Sequence, residues 1–263
     1  MELFYRKLGK GQPLIILHGL FGMSDNWMSI ARRLAERYTV FLLDQRNHGH
    51  SPHSDEFNYD VLLDDLHRFI VGQNLSQVRL IGHSMGGKVA MRYALNFSSR
   101  VEKPVVVDIA PKTYTHPHFK LFFEALFAIH PERLTSRKEA DDILAQKIPQ
   151  PAIRQFLLKN LVRGKDGRFR WRIHLKAIYL NLPKIMEGLR DIRVFDKPAL
   201  FLRGGRSDYI LDGDFSLIYK WFPMARIETI PQATHWLHAD APEEFCSHLE
   251  KFYDDKRPYP EKS

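Results

Sequence analysis

One pentapeptide constrains this chain more than any other feature: Gly82-His83-Ser84-Met85-Gly86, set between the apolar run Val78 to Ile81 and a helically spaced stretch from Lys88 to Leu95. In that context Gly-x-Ser-x-Gly folds as a sharp strand-to-helix turn that lifts the serine hydroxyl above the strand ends. The two glycines leave room for backbones to pass closely. Such a turn needs a buried strand beneath it and a helix that crosses back over the sheet.

The flanking sequence has that organisation. Pro13 to Leu17, Thr39 to Leu43, Val78 to Ile81 and Pro104 to Val107 read as strands. Asp25 to Glu36, Tyr59 to Asn74 and Lys88 to Leu95 have helical spacing. The alternation predicts parallel strands joined by crossover helices. After Pro111 it stops, and the next eighty or so residues read mainly as helices punctuated by prolines and glycines. It resumes at Pro198 to Leu202, continues through Phe215 to Phe222 and Ala225 to Ile230, and ends in a helix from Pro242 to Tyr253. The expected division is a core of residues 1–111 and 196–253, a helical lid of residues 112–195, and a frayed tail of residues 254–263.

Composition narrows the function classes. Among 263 residues the lone cysteine, Cys246, excludes an internal disulfide and zinc-thiolate chemistry. The spacing contains no His-x-x-x-His pair or carboxylate cluster of the kind that binds metal, and no run long enough to span a bilayer. The N-terminal segment lacks the apolar core and cleavage site of a secretory signal, so a cytoplasmic protein is expected. The net charge of +8 is regional: Lys112 to Phe195 carries 17 Lys and Arg against 8 Asp and Glu. Its densest part, Arg163, Lys165, Arg168, Arg170, Arg172 and Lys176, is interleaved with Phe169, Trp171 and Ile173. We read this as a basic surface with its apolar side chains turned inward, since no nucleic-acid-binding motif accompanies it.

A serine hydroxyl is a poor nucleophile until a base takes its proton. Of the 13 histidines, His235 in Pro231-Gln232-Ala233-Thr234-His235-Trp236 follows the last strand and is the expected base. His238 is expected at the start of the next helix in a solvated role, His48, His50 and His53 in loop hydrogen bonds, and His83 packed beside the elbow. The oxyanion of a tetrahedral intermediate needs fixed N–H donors. The amides of Met85, after the nucleophile, and of Leu20, in the turn His18-Gly19-Leu20-Phe21-Gly22, are placed to supply them. The acid that orients His235 is open between Asp108, which closes Val105-Val106-Val107, and Asp208, which follows Arg203-Gly204-Gly205-Arg206-Ser207.

Nearly the whole chain resembles an α/β-hydrolase, and more narrowly the YbfF-type bacterial esterases and their animal abhydrolase-domain relatives. The resemblance rests on His18 to Gly22, Asp44-Gln45-Arg46-Asn47-His48-Gly49-His50-Ser51, Gly82 to Lys88, Val107-Asp108-Ile109-Ala110-Pro111, Arg203 to Ser207, and His235-Trp236-Leu237-His238-Ala239. It implies a mostly parallel central sheet flanked by helices, with a helical lid between strands 6 and 7. It also implies an acid at the end of the sixth strand, which favours Asp108, with Ser207 supporting the network. The implied activity is that of a serine carboxylesterase on short to medium acyl esters or thioesters, without a cofactor or metal. The partner is then a small-molecule ester rather than nucleic acid; the oligomeric state is not legible. Two departures are Ala233-Thr234, where the family usually has glycine before the histidine, and Asp208, where it often lacks an acid. The aromatic residues Phe119, Phe122, Phe123, Phe127 and Trp171 are candidates to line an acyl pocket. Rival readings are a C–C-bond hydrolase or lyase on the same fold, and a ligand- or nucleic-acid-binding protein without turnover.

Overall fold

A computed structural model describes residues 1–115, 117–190 and 192–255. Its strands are β1 (Tyr5–Leu8), β2 (Gln12–Leu17), β3 (Tyr38–Leu43), β4 (Arg79–His83), β5 (Val105–Val107), β6 (Leu161–Arg163), β7 (Phe169–Trp171), β8 (Ala199–Gly204) and β9 (Ala225–Ile230). Seven of them form one sheet in the order β1-β3-β2-β4-β5-β8-β9, parallel throughout except for the antiparallel edge strand β1. That edge strand has no counterpart in the sequence reading, because Tyr-Arg-Lys-Leu lacks an apolar run.

The helices are α1 (Met28–Leu34), α2 (Tyr59–Gly72), α3 (Met85–Asn96), α4 (Pro117–Phe127), α5 (Arg137–Ala145), α6 (Pro151–Leu158), α7 (Leu175–Met186), α8 (Phe215–Trp221), α9 (Leu237–Asp240) and α10 (Pro242–Asp254). Successive strand residues face opposite sides of the sheet, and the central strands are apolar on both. Ile15, Phe41, Val106 and Phe201 pack with α2, α3 and α8, while Ile16, Leu42, Val107 and Leu202 pack with α1 and α10.

The long insertion leaves the sheet after β5 and returns at β8. Counted along this chain these are the fifth and sixth sheet strands, one lower than the expected numbering. The insertion holds α4 to α7 and also a feature absent from the sequence reading, the hairpin β6-β7. Three-residue strands around Lys165-Asp166-Gly167 are too short to show a period. In the hairpin Arg163, Lys165, Arg168 and Arg170 are exposed, whereas Phe169 is buried and Ile173, just beyond it, is buried too. Buried residues of the insertion, among them Phe123, Leu157 and Ile178, belong to the same apolar cluster as the α2–α3 side of the sheet.

The start of the expected tail is anchored rather than frayed. Arg37 pairs with Asp254 at 2.5 Å, and Asp255 pairs with Arg226 and accepts from Lys103 Nζ through its carbonyl at 2.7 Å. The rest of that segment, 256–263, lies outside the described residues. No helix among the described residues is long and apolar enough to cross a membrane.

Candidate active site

Parallel register brings the candidate residues to one edge. Leu17 pairs with Gly82, His83 with Val107, and Val107 with Leu202, so His18, Ser84, Asp108 and the β8 exit share the carboxyl end of the sheet. This is the edge where open α/β sheets bind ligands.

Ser84 turns the chain from β4 into α3 with φ 52° and ψ −119°, a left-handed φ that costs a non-glycine residue on the order of 1–3 kcal/mol. The helix therefore begins at Met85, three residues earlier than its apolar spacing predicts. A Cβ on Gly82 would stand 2.3 Å from the Gly86 carbonyl oxygen, and one on Gly86 would stand 2.4 Å from that of Leu17. Only glycine permits this crossing of backbones.

Asp108, the residue after β5, also has a positive φ of 49° and is fully buried. Its Oδ1 accepts from the Gly204 amide at 3.0 Å, and its Oδ2 accepts from the Ser207 hydroxyl and from His235 Nδ1 at 2.8 Å. Because a carboxylate accepts, Nδ1 carries the proton of this bond, and in the neutral ring Nε2 is then the acceptor nitrogen. Asp208 is exposed, and the structure brings Asp108 rather than Asp208 to the imidazole. The His235 ring stacks on Tyr209 at 3.6 Å and 17°. Tyr114 braces Tyr209, donating its hydroxyl to the Tyr209 carbonyl at 2.6 Å while accepting from the Ala110 amide at 2.7 Å.

Ser84 and His235 line one cavity of about 380 Å³, whose lining also includes residues of the insertion. No hydrogen bond joins the two among the described residues, and such contacts in unliganded sites often tighten only around substrate. Of the five aromatic candidates, Phe119 and Phe122 line the cavity; Phe123 is core, Phe127 is exposed and Trp171 packs elsewhere. Phe21, Phe156, Tyr209 and Trp236 line it as well.

The turn after β2 is held by two buried histidines. His18 Nε2 accepts from the Gln45 amide at 3.0 Å while its Nδ1 donates to the Gly19 carbonyl at 2.8 Å. His48 Nε2 accepts from the Phe21 amide at 3.2 Å and its Nδ1 donates to the Arg46 carbonyl at 2.9 Å, the loop role expected for it. Burial lowers both, to about 4 for His18 and about 3 for His48, so each stays neutral with one acceptor nitrogen. Between them the Leu20 amide donates to no protein acceptor among the described residues. Asn160 reaches in from the insertion, its amide donating to the Phe21 carbonyl at 2.8 Å.

His83 lies beside the elbow and donates Nε2–H to the His235 carbonyl at 2.8 Å; burial lowers its pKa. His238 departs from its expected solvated role. It is buried and stacked on Trp27 at 3.9 Å, and burial lowers its pKa to about 3. In the short helix α9 its ring lies against Trp27 and His83 instead of in water. Tyr209, Tyr114 and Asn160 carry no local sequence signal, since their partners are distant in the chain. Among the described residues no group of three or more His, Cys, Asp or Glu side chains is arranged to hold a metal.

Comparison with known proteins agrees with this architecture. Residues 12–147 match the family described as the alpha/beta hydrolase fold. The sn-1-specific diacylglycerol lipase ABHD11 of Danio rerio is 42% identical over 253 residues, which is 93% of this chain and 80% of that protein. Esterase YbfF of Escherichia coli K12 is 34% identical over 243 residues, 92% of this chain and 93% of that one. A solved structure, a marine microorganism esterase, superposes with a TM-score of 0.93 at 47% identity and covers 95% of this chain and 99% of its own. With strand order, elbow and full-length similarity in agreement, the chain belongs to the α/β-hydrolase family, in the group that holds the YbfF-type esterases and the animal ABHD11 lipases.

Proposed function

We propose that the chain is a serine carboxylesterase working through an acyl-enzyme. That it is an ester hydrolase accords with its esterase and lipase relatives; the residue roles and the route are our reading. The observation that carries it is the buried Asp108 bonded to Nδ1 of His235, with His235 and Ser84 on one cavity. His235 Nε2 takes the Ser84 proton as Oγ attacks the ester carbonyl, and Asp108 holds the imidazole in the tautomer that makes this possible. Ser207 and the Gly204 amide keep the Asp108 carboxylate in place.

The developing oxyanion lies against the Leu20 and Met85 amides, the second at the positive end of α3. His235 then protonates the departing alkoxide, and water, activated by the same imidazole, releases the acid. Residues 112–195 act as a lid that shields the cavity, over a core of 1–111 and 196–253. The cavity lining is chiefly apolar, which suits an ester with an apolar arm better than the polar dione of a C–C-bond hydrolase. The test is hydrolysis of p-nitrophenyl acetate and fluorophosphonate labelling by the parent and Ser84→Ala proteins. Loss of both in the variant is expected; retained hydrolysis would remove Ser84 from the mechanism.

A further inference from the structure

Ser84 stands between two cavities of very different size. The first is the 380 Å³ space that also touches His235 and Trp236. The second, about 20 Å³, lies behind the elbow and is walled by Met85, Lys88, Ile109, Ile185 and Met186. Leu20, Phe119 and Tyr209 border both, but His235 lines only the large one.

The chemistry of the step decides which arm of an ester enters which space. In the tetrahedral intermediate the reacting carbon bears Ser84 Oγ, the oxyanion, the alkoxy oxygen and the acyl chain. The oxyanion points at the Leu20 and Met85 amides. When the carbon–alkoxy bond breaks, its electron pair goes to the alkoxide oxygen and the proton on His235 Nε2 goes with it. That oxygen must therefore be within hydrogen-bond reach of His235, which puts the alcohol in the large cavity. The acyl chain is left with the small one.

A space of about 20 Å³ holds one water-sized group, comparable with a methyl. Its walls are tied down. Lys88, 1% exposed, donates from Nζ to the Met186 carbonyl at 3.2 Å and to that of Glu187, binding the end of α7 to α3. The Tyr114 amide also donates to the Met186 carbonyl at 2.9 Å, so the two stems of the insertion close together over the hole.

We propose that this esterase selects acetyl and similarly short acyl groups carried on long apolar alcohols, with acyl length limited by the hole behind Ser84. The inference rests on the roles given above to Ser84 and His235. It is tested with two matched series, kept below micelle-forming concentrations: ethyl esters from acetate to hexanoate, and acetate esters from ethyl to octyl. In the first, kcat/KM for hexanoate is expected below one-tenth of that for acetate. In the second, octyl acetate is expected to exceed ethyl acetate.

A hexanoate-to-acetate ratio of one-tenth or more, or octyl acetate at or below ethyl acetate, overturns the assignment while leaving the esterase reading intact. Turnover of no ester in either series sinks the esterase reading and this inference together. Met186→Ala, which opens the wall, is expected to raise the hexanoate-to-acetate ratio at least fivefold. Ile109→Val, a smaller excision, should move it in the same direction, and an unchanged ratio in folded forms of both variants would also overturn the assignment.

Discussion

The Asp108 carboxylate and Nδ1 of His235 meet at 2.8 Å across a sequence separation of 127 residues. Asp108 is fully buried, and Gly204 and Ser207 share its oxygens. An amide in its place would present an N–H to the imidazole or leave the wrong tautomer at Nε2. Asp108→Asn is therefore expected to lower kcat by about 10³–10⁴-fold. Asp208→Asn, at an exposed position, should stay within about twofold of the parent. Steady-state kinetics of both variants, with a melting curve to show that each is folded, checks the pair. Equal losses would mean that the acid is shared.

Much of the candidate site is legible because its residues sit in local patterns. Ser84 is marked by two glycines between a strand and a helix, and His235 by its place after the last strand. The choice between Asp108 and Asp208 was not local. Both follow sheet strands, and only the pairing of Val107 with Leu202 sets Asp108 beneath the β8 exit while Asp208 continues outward into solvent. Tyr209 against His235 and Asn160 against Phe21 join segments that no periodicity relates. The hairpin β6-β7 escaped because three residues cannot display alternation, and His238 because burial of a polar ring depends on what folds over it.

That burial has a pH consequence. His18, His48 and His238 have native pKa values of about 4, 3 and 3, against 6.5 when solvated. Between those limits the unfolded chain binds more protons, so their stabilising contribution is full above pH 6.5 and is lost as the pH falls. Each group costs about 1.4 kcal/mol per pH unit over that window. His238→Phe keeps a ring on Trp27 and removes an Nδ1 that has no hydrogen-bond partner among the described residues. Urea midpoints at pH 6.5 and 4.5 should show the variant losing about 2–3 kcal/mol less than the parent. Equal losses would mean that His238 is protonated without unfolding.

The elbow makes a sharper demand on backbone space. A Cβ at position 86 would lie 2.4 Å from the Leu17 carbonyl oxygen and 2.6 Å from that of His18, both main-chain atoms of the strand exit. Gly86→Ala is expected to destabilise by about 3–5 kcal/mol, in the range of severe core mutations. At Gly72, the end of α2, an added Cβ would meet nothing within 4 Å, and Gly72→Ala should instead stabilise by about 0.5–1 kcal/mol. Chemical denaturation of the two variants gives opposite signs if the crossing is as tight as the structure shows.

Asn160 is a strut between the insertion and the turn after β2. Its side-chain amide donates to the Phe21 carbonyl at 2.8 Å and to Leu157 at 3.2 Å, and it is buried. Phe21 has a positive φ of 63° and directly follows Leu20, so the strut steadies a strained residue next to the proposed donor. Asn160→Ala leaves the Phe21 carbonyl without this donor and is expected to cost about 1–3 kcal/mol of stability. If the strut aligns the Leu20 amide, kcat should fall by about tenfold, short of the loss on removing an oxyanion donor outright. KM should change less than kcat, and the pH–rate profile should keep its shape because no titrating group is altered. Asn160→Asp, which sets a carboxylate against a carbonyl, should be worse in both stability and kcat. Unchanged kcat in a destabilised Asn160→Ala protein would reduce Asn160 to a packing element and uncouple the turn after β2 from the insertion.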